Sequence, residues 1–166
     1  MNKNSKIKEC IRIWKDVFGD DDEFILSFIK NFYNEENMLY IEYEGKIASM
    51  LHIIPFEFNG STVAYIYAVA TEVNMRGRGY AKDLIRQAIE KAKKDRYKAL
   101  ITLPADKKLT AFYSRFGFQG HYAVKFESKE GFDFGTGEKE KDFVMILPIE
   151  GSFAPEQNEI ILKVQA

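Results

Sequence analysis

The sequence is poor in residues that cross-link a chain through sulfur or metal: its 166 residues include one cysteine and two histidines. A single cysteine, Cys10, excludes a disulfide within the chain. Cys10, His52 and His121 are also too few and too widely spaced to match a zinc or iron site. We therefore expect neither a disulfide framework nor a structural or catalytic metal.

The chain also lacks an excess of charge of one sign and a long apolar run. Its 25 acidic residues nearly cancel its 24 basic residues, so no global field draws the protein to nucleic acid or to an anionic membrane. Any anion-binding site must then be local. The N-terminal residues lead into an amphipathic pattern, from which we expect no signal peptide, no membrane span and a cytoplasmic location.

Apolar and aromatic residues are plentiful. Hydrophobic residues make up 46% of the chain, which contains 14 phenylalanines and 9 tyrosines. A chain of this length and composition can bury one sizeable core. We expect residues 1–150 to form one domain and residues 151–166 to add an edge strand or a tail.

Two amphipathic helices are predicted at the start of the chain. Apolar residues recur at helical spacing from Ile7 to Phe18 and again from Ile25 to Phe32. Gly19 is placed to end the first helix, and the run Asp20-Asp21-Asp22 offers an N-cap and favourable charge to the second.

The pattern then changes to that of strands. The segments MLYIEYE and KIASMLHII meet at Glu44-Gly45, and FEF and STVAYIYAVAT meet at Asn59-Gly60, so two hairpins are predicted. The last of these segments is long, apolar and rich in small residues. We expect it in the middle of the sheet.

The second half of the chain alternates helices and strands. A helical stripe begins at Ala81, the buried strand KALITL follows, and a further helix ends near Gly117, which is placed to cap it. The strands before and after the first of these helices are expected to be parallel, with a right-handed crossover. FQGHYAVKFE and KDFVMILPI then form two strands around a loop from Ser128 to Glu140.

The junction between the long strand and the next helix has the composition of an anion site. A helix N-terminus carries unpaired N–H groups and partial positive charge, and glycines let the backbone approach a phosphate closely. The alternative is a flexible turn with two solvated arginines. A dinucleotide fold is disfavoured because its third glycine would fall at Lys82 and because the preceding hairpins are antiparallel. The junction has the sequence Arg76-Gly77-Arg78-Gly79-Tyr80-Ala81.

With this order of elements, the chain resembles the GNAT superfamily of acyl-CoA-dependent N-acyltransferases over nearly its whole length. Arg76, Gly79 and Ala81 fill the family's signature for the acyl-CoA pyrophosphate. The resemblance implies an α/β (α+β) fold, with a mixed, mostly antiparallel central sheet flanked by helices. It also implies acetyl-CoA as co-substrate, bound by these residues: Val69, Ala70, Thr71, Arg76, Gly77, Arg78, Gly79, Tyr80 and Ala81.

The implied reaction is transfer of an acetyl group to a primary amine of a small molecule or a peptide. The family places a tyrosine before a Gly-Phe pair, and Tyr113 precedes Gly117-Phe118 here. We expect Tyr113 to protonate the leaving sulfur, and a backbone N–H of Ala70 or Thr71 to polarise the thioester. The other interpretation of Tyr113 is a core residue with a satisfied hydroxyl.

The sequence does not decide which of several side chains would deprotonate the amine, and a water relay could also do so. Two rival functions are a non-catalytic acyl-CoA-binding or sensor domain and an interaction module in which the turn is only structural. Cys10 is expected to be buried and inert, and His52 is more often a core histidine than a base. The candidate bases are Glu72, Glu57, His52, Tyr65 and Tyr67.

Overall fold

The protein is described here from a computed structural model, which covers residues 1–127, 132, 134, 143–151, 153, 155 and 159–164. Apart from residues 132 and 134, the loop predicted from Ser128 to Glu140 lies outside this description. Short 3-10 turns lie at Glu35–Asn37 and Val73–Met75. The helices and strands are α1 (Lys3–Phe18), α2 (Asp22–Phe32), β1 (Met38–Tyr43), β2 (Lys46–Phe58), β3 (Ser61–Thr71), α3 (Tyr80–Lys94), β4 (Ala99–Thr102), α4 (Lys107–Ser114), β5 (Gln119–Glu127), β6 (Phe143–Pro148) and β7 (Glu159–Val164).

The local signals act as expected at the helix ends and hairpins. Gly19 ends α1 in a left-handed conformation, and the Asp21 side chain accepts a hydrogen bond from the Phe24 amide at the start of α2. Both hairpin turns have two successive residues with positive φ, as tight primed turns require. One local expectation is wrong: α4 ends at Ser114, so Arg115 and not Gly117 is its C-cap.

The predicted strands KIASMLHII and FEF are a single strand, β2, with Pro55 inside it. A proline removes a ladder hydrogen bond, and so it normally interrupts a strand. Along one edge of β2, the pairing with β1 ends at His52 and the pairing with β7 begins at Phe56. Among the described residues, neither of these two pairings includes Pro55, which suits a residue without a backbone N–H.

The expected fold class is confirmed, but the sheet is mixed and not mostly antiparallel. Its strand order is β1-β2-β3-β4-β6-β5-β7, with a further pairing of β7 and β2. The β3–β4 pair is parallel, as the crossover predicted, and β5–β7 is parallel as well. Local turn signals reveal hairpins, whereas the β5–β7 pair joins segments that no short turn connects.

The chain divides into two compact units, and β2 and β3 contribute to both. The first unit comprises residues 1–54 and 67–88. Its core is aromatic: Trp14 and Phe28 are fully buried and lie 4.9 Å apart between ring centroids. The rings of His52 and Tyr67 pack against both.

The second unit comprises residues 55–66 and 89–166. Because β7 pairs with both β5 and β2, the strands from β2 to β7 form a closed ring. An aromatic cluster of Phe56, Tyr65, Phe126 and Phe134 packs together in this unit, with ring centroids 5.0 to 6.1 Å apart. The domain boundary expected at residue 150 stays a prediction.

Candidate functional site

The glycine turn between β3 and α3 is exposed and depends on glycine for its backbone conformation. Gly77 and Gly79 have φ values of 78° and 81°, in the region that L side chains rarely adopt. A Cβ at either position would meet no atom within 4 Å. The glycines are therefore required by the path of the backbone and not by crowding, and the space beside the turn is open.

The first turn of α3 presents unpaired amides beside this space. The helix begins at Tyr80, and the amide of Asp83 donates to the carbonyl of Gly79 at 3.0 Å. The amides of Tyr80, Ala81 and Lys82 precede that bond and have no acceptor within the helix. Together with the helix dipole they form a site of positive potential, suited to a phosphate.

The two arginines of the turn are held in different ways. Arg76 donates from Nε to the carbonyl oxygen of Thr71 at 3.2 Å, which joins the turn to the end of β3. The guanidinium carbon of Arg78 lies 5.3 Å from the ring centroid of Tyr43. Hydrogen bonds to the side chains of Tyr80, the larger effect, and of Tyr43 raise the pKa of Arg78.

The end of β3 contains a kink that the sequence does not signal. Pairing between β3 and β4 ends at Ile66–Thr102, and β3 continues to Thr71. Beyond that last pair, Ala68 has a φ of 53°, a left-handed conformation that costs about 1–2 kcal/mol for a residue with a Cβ. Such kinks redirect the backbone groups that follow them. The following groups are those of Val69, Ala70 and Thr71.

Ser49 of β2 fixes the last residues of β3, and sequence reasoning missed it. It is fully buried, and its hydroxyl donates to the carbonyl of Ala70 at 3.2 Å. Its oxygen also lies 2.8 Å from Oγ1 of Thr71. Because a hydroxyl has one proton, Thr71 is the donor of that second bond. The carbonyl of Ala70 and the hydroxyl of Thr71 are thus engaged inside the protein.

Two candidate bases of the first unit are occupied or neutral. Glu72, directly after β3, accepts a hydrogen bond from the guanidinium of Arg12. His52 is 2% exposed, and burial lowers its pKa to about 3. Its Nε2 lies 3.5 Å from Sγ of Cys10, whose pKa burial raises to about 12. Cys10 is therefore a buried neutral thiol, and His52 is a neutral core histidine.

The other candidate bases are parts of packed or peripheral structure. Tyr67 contacts Trp14 and Phe28 in the core of the first unit. Tyr65 belongs to the aromatic cluster of the second unit. Glu57 is paired in register with Lys163 of β7, and both line a pocket of about 370 Å³.

Tyr113 is a buried phenol on α4, in the second unit. It is 4% exposed and contacts the rings of Phe112 and Phe118. Burial raises its pKa, and a hydrogen bond with the Thr102 side chain opposes that effect. Tyr113 therefore keeps its proton at neutral pH, as an acid must before it donates.

The described residues contain no group of three or more His, Cys, Asp or Glu side chains that could hold a metal ion. No helix within the same residues is long and apolar enough to cross a membrane.

These features agree with a family comparison. The family model for the GNAT acetyltransferase domain matches residues 2–120. The chain belongs to the GNAT family. It is thus a member of a family of acyl-CoA-dependent acyltransferases, as its glycine turn indicated. No curated protein matches the chain significantly.

Solved GNAT structures share the fold at low sequence identity. The chain is similar to the GNAT family N-acetyltransferase YhbS from Escherichia coli in complex with CoA, with 16% identity, a TM-score of 0.64, and coverage of 99% of this chain and 86% of that one. A GNAT family acetyltransferase from Elizabethkingia anophelis with acetyl-CoA bound matches with 16% identity, a TM-score of 0.58, and coverage of 83% and 89%.

Longer relatives also match. A GCN5-related N-acetyltransferase from Kribbella flavida shares 20% identity with a TM-score of 0.56, and the match covers 70% of this chain but 32% of that one. The chain thus spans about a third of the length of that relative. At these identities the likeness shows the fold, and the roles of Tyr113 and of the turn residues stay predictions.

Proposed function

We propose that the protein is an N-acetyltransferase that transfers the acetyl group of acetyl-CoA to a primary amine of a small molecule or a peptide. The observation that carries this proposal is the turn from Arg76 to Ala81. It combines open space, unpaired helix amides and two arginines at the end of β3. These groups suit the pyrophosphate of the donor.

In this proposal, β3 holds the thioester with its main chain. The hydroxyl of Ser49 already satisfies the carbonyl of Ala70, and the kink at Ala68 redirects the groups after it. An amide N–H of Ala70 or Thr71 would donate to the thioester oxygen as negative charge develops there. A preorganised donor of this kind is commonly a large contribution to acyl transfer.

Protons must move in two places. The amine attacks in its neutral form, with formation of a C–N bond and cleavage of the C–S bond. An alkylamine has a pKa of ~10.4, so it must lose a proton, and the sulfur, whose thiol has a pKa of ~8.5, leaves more readily when it is protonated. We assign Tyr113 as the donor to sulfur, because its buried hydroxyl is protonated and Thr102 can stabilise the phenolate afterwards.

We assign no side-chain base to the amine. Arg12 holds Glu72, and a histidine with a pKa of about 3, such as His52, has little affinity for the proton. The amine would lose its proton to water, so the rate of transfer should rise with pH toward the pKa of the acceptor itself.

Two measurements test the proposal. Calorimetry with CoA should show binding in the wild type, weaker binding in Arg76→Gln, and wild-type binding in Arg86→Gln, which alters an exposed arginine of α3 outside the turn. Thiol release from acetyl-CoA with a panel of amines should then show turnover. Absence of CoA binding at millimolar concentration would contradict the proposal. Binding without turnover for any amine would favour the alternative, a non-catalytic acyl-CoA-binding or sensor domain.

A further inference from the structure

Arg78 of the glycine turn lies against the β1–β2 hairpin, a segment that is distant from the turn in sequence. Tyr43 is the last residue of β1, and its partner in register is Lys46 at the start of β2. Tyr43 is 37% exposed, and the guanidinium carbon of Arg78 lies 5.3 Å from the centroid of its ring. This distance allows a cation–π contact. The hairpin therefore supports one of the two cations of the turn.

The partners of Arg78 hold it without neutralising its charge. Hydrogen bonds to Tyr80 and Tyr43 raise its pKa, and neither partner is a carboxylate. Within the described part of the chain, no ion pair includes Arg78. Arg12 shows the opposite arrangement, because the carboxylates of Glu9 and Glu72 surround it.

A second cation–π pair involves a tyrosine of β1, but its cation has an anionic partner. Lys6 lies 5.5 Å from the ring centroid of Tyr40, but it also forms an ion pair with Glu35 at 2.9 Å. The charge of Lys6 is therefore already paired with a carboxylate of the protein. Arg78 has no such anion among the described residues, and its guanidinium has more N–H donors than its two tyrosine partners use, beside a turn whose amides suit a phosphate.

We infer that Tyr43 is a positioning residue that holds Arg78 for a phosphate of bound CoA, so that the β1–β2 hairpin belongs to the donor site. The inference rests on the proposed function, which supplies the identity of the anion. A side chain that is oriented before binding loses less conformational entropy when the phosphate arrives. Removal of Tyr43 should therefore weaken donor binding without changing the chemical step.

The test uses full-length variants and calorimetry with CoA. Tyr43→Leu keeps apolar bulk but removes the ring and the hydroxyl, and it should raise the Kd for CoA about threefold, the effect of an exposed cation–π contact. Arg78→Gln should raise the Kd about tenfold, as loss of a charge-assisted hydrogen bond does. In the Arg78→Gln background, Tyr43→Leu should add little, because its effect acts through Arg78. Tyr40→Leu is the matched control and should leave the Kd unchanged.

Kinetics separate positioning from a general structural role. Tyr43→Leu should raise KM for acetyl-CoA and leave kcat unchanged, and Tyr43→Phe, which keeps the ring, should recover part of the loss. With S-acetylpantetheine, a donor without phosphates, Tyr43→Leu and the wild type should react equally. An equal loss with this donor would overturn the inference.

The phosphate itself is identified with 3′-dephospho-CoA. If the Kd of Tyr43→Leu exceeds that of the wild type by the same factor with this ligand as with CoA, Arg78 binds the pyrophosphate. If the two proteins bind this ligand equally well but differ with CoA, Arg78 binds the 3′-phosphate. Both results support the inference. If the wild type binds CoA and Tyr43→Leu binds it equally well, the inference is wrong and the proposed function stands. If the wild type binds no CoA, both are overturned.

Discussion

Arg12 in α1 donates a hydrogen bond to the carboxylate of Glu72, the residue that follows β3. The same guanidinium donates to both oxygens of Glu9, at 2.8 and 2.9 Å, and to the carbonyl of Ile47 at 2.9 Å. The amide of Glu72 in turn donates to the carbonyl of Ala48 at 2.9 Å. One side chain of α1 thus connects the start of β2 with the segment that leads into the glycine turn.

Replacement of this arginine should destabilise the protein. Arg12→Ala leaves the part-buried carboxylates of Glu9 and Glu72 without their shared donor. An unpaired group of this kind costs about 1–3 kcal/mol in free energy of unfolding, and we expect the lower half of that range because the groups are partly exposed. Urea denaturation measures the change. The matched control is Arg86→Ala, whose exposed pair with Asp83 spans 3.8 Å, and which should change stability by less than about 0.5 kcal/mol. Equal effects would contradict this account.

His52 should make stability depend on pH. Its pKa is about 3 in the folded protein against an ordinary value of 6.5, so below pH 6.5 the unfolded chain binds a proton that the folded protein excludes. Stability should fall as pH decreases from 6.5 toward 3, by up to about 1.4 kcal/mol per pH unit from this group. His52→Gln removes that contribution, so its free energy of unfolding should depend less on pH. Parallel curves for the two proteins would show that His52 titrates normally.

Gly79 and Gly60 allow strain to be separated from binding. Both have positive φ, 81° and 78°, and at both a Cβ would meet no atom within 4 Å. Replacement by alanine should cost each about 1–2 kcal/mol in free energy of unfolding. Only Gly79→Ala should also weaken CoA binding, because only this Cβ stands beside the amides of α3. If Gly60→Ala weakened binding as much, the effect of Gly79→Ala would be one of stability alone.

Tyr113→Phe tests the proposed acid. The variant keeps the buried ring but has no proton to donate, so kcat should fall about 100-fold or more while KM for acetyl-CoA changes little. Tyr97→Phe is the control, because Tyr97 is 9% exposed and burial raises its pKa too. Turnover of Tyr113→Phe equal to the wild type at every pH would refute the acid role and leave Tyr113 as a core residue.

The local elements could be predicted because their signals lie within a few residues of one another. Asp21 caps α2 through the amide three residues on, and Asn59-Gly60 forms the turn it predicts. The parallel β3–β4 pair followed from the helix between the strands. The unbroken β2 did not follow from sequence, because tolerance of Pro55 depends on where β1 ends and a strand from the far end of the chain begins.

The candidate site residues also divide into those signalled by neighbouring residues and those that depend on distant segments. Arg76 to Ala81 could be found from residue types, since glycine spacing and a following amphipathic helix are properties of adjacent residues. Ser49 could not be found from the sequence, because the hydrogen bonds that make it important join it to Ala70 and Thr71 on another strand. The kink at Ala68 could not be found either, because alanine is not typical of a left-handed conformation.

By itself, the sequence determined the fold class, the position of the glycine turn and the family that the turn indicates, because those depend on short-range patterns of size, charge and backbone freedom. Only the tertiary structure decided which ionisable groups are available. It engages Glu72 with Arg12 and buries His52 in its neutral form, while Arg78 contacts tyrosines and no carboxylate among the described residues. The reason is physical: the charge and reach of a side chain are set by burial and by partners that segments distant in sequence supply.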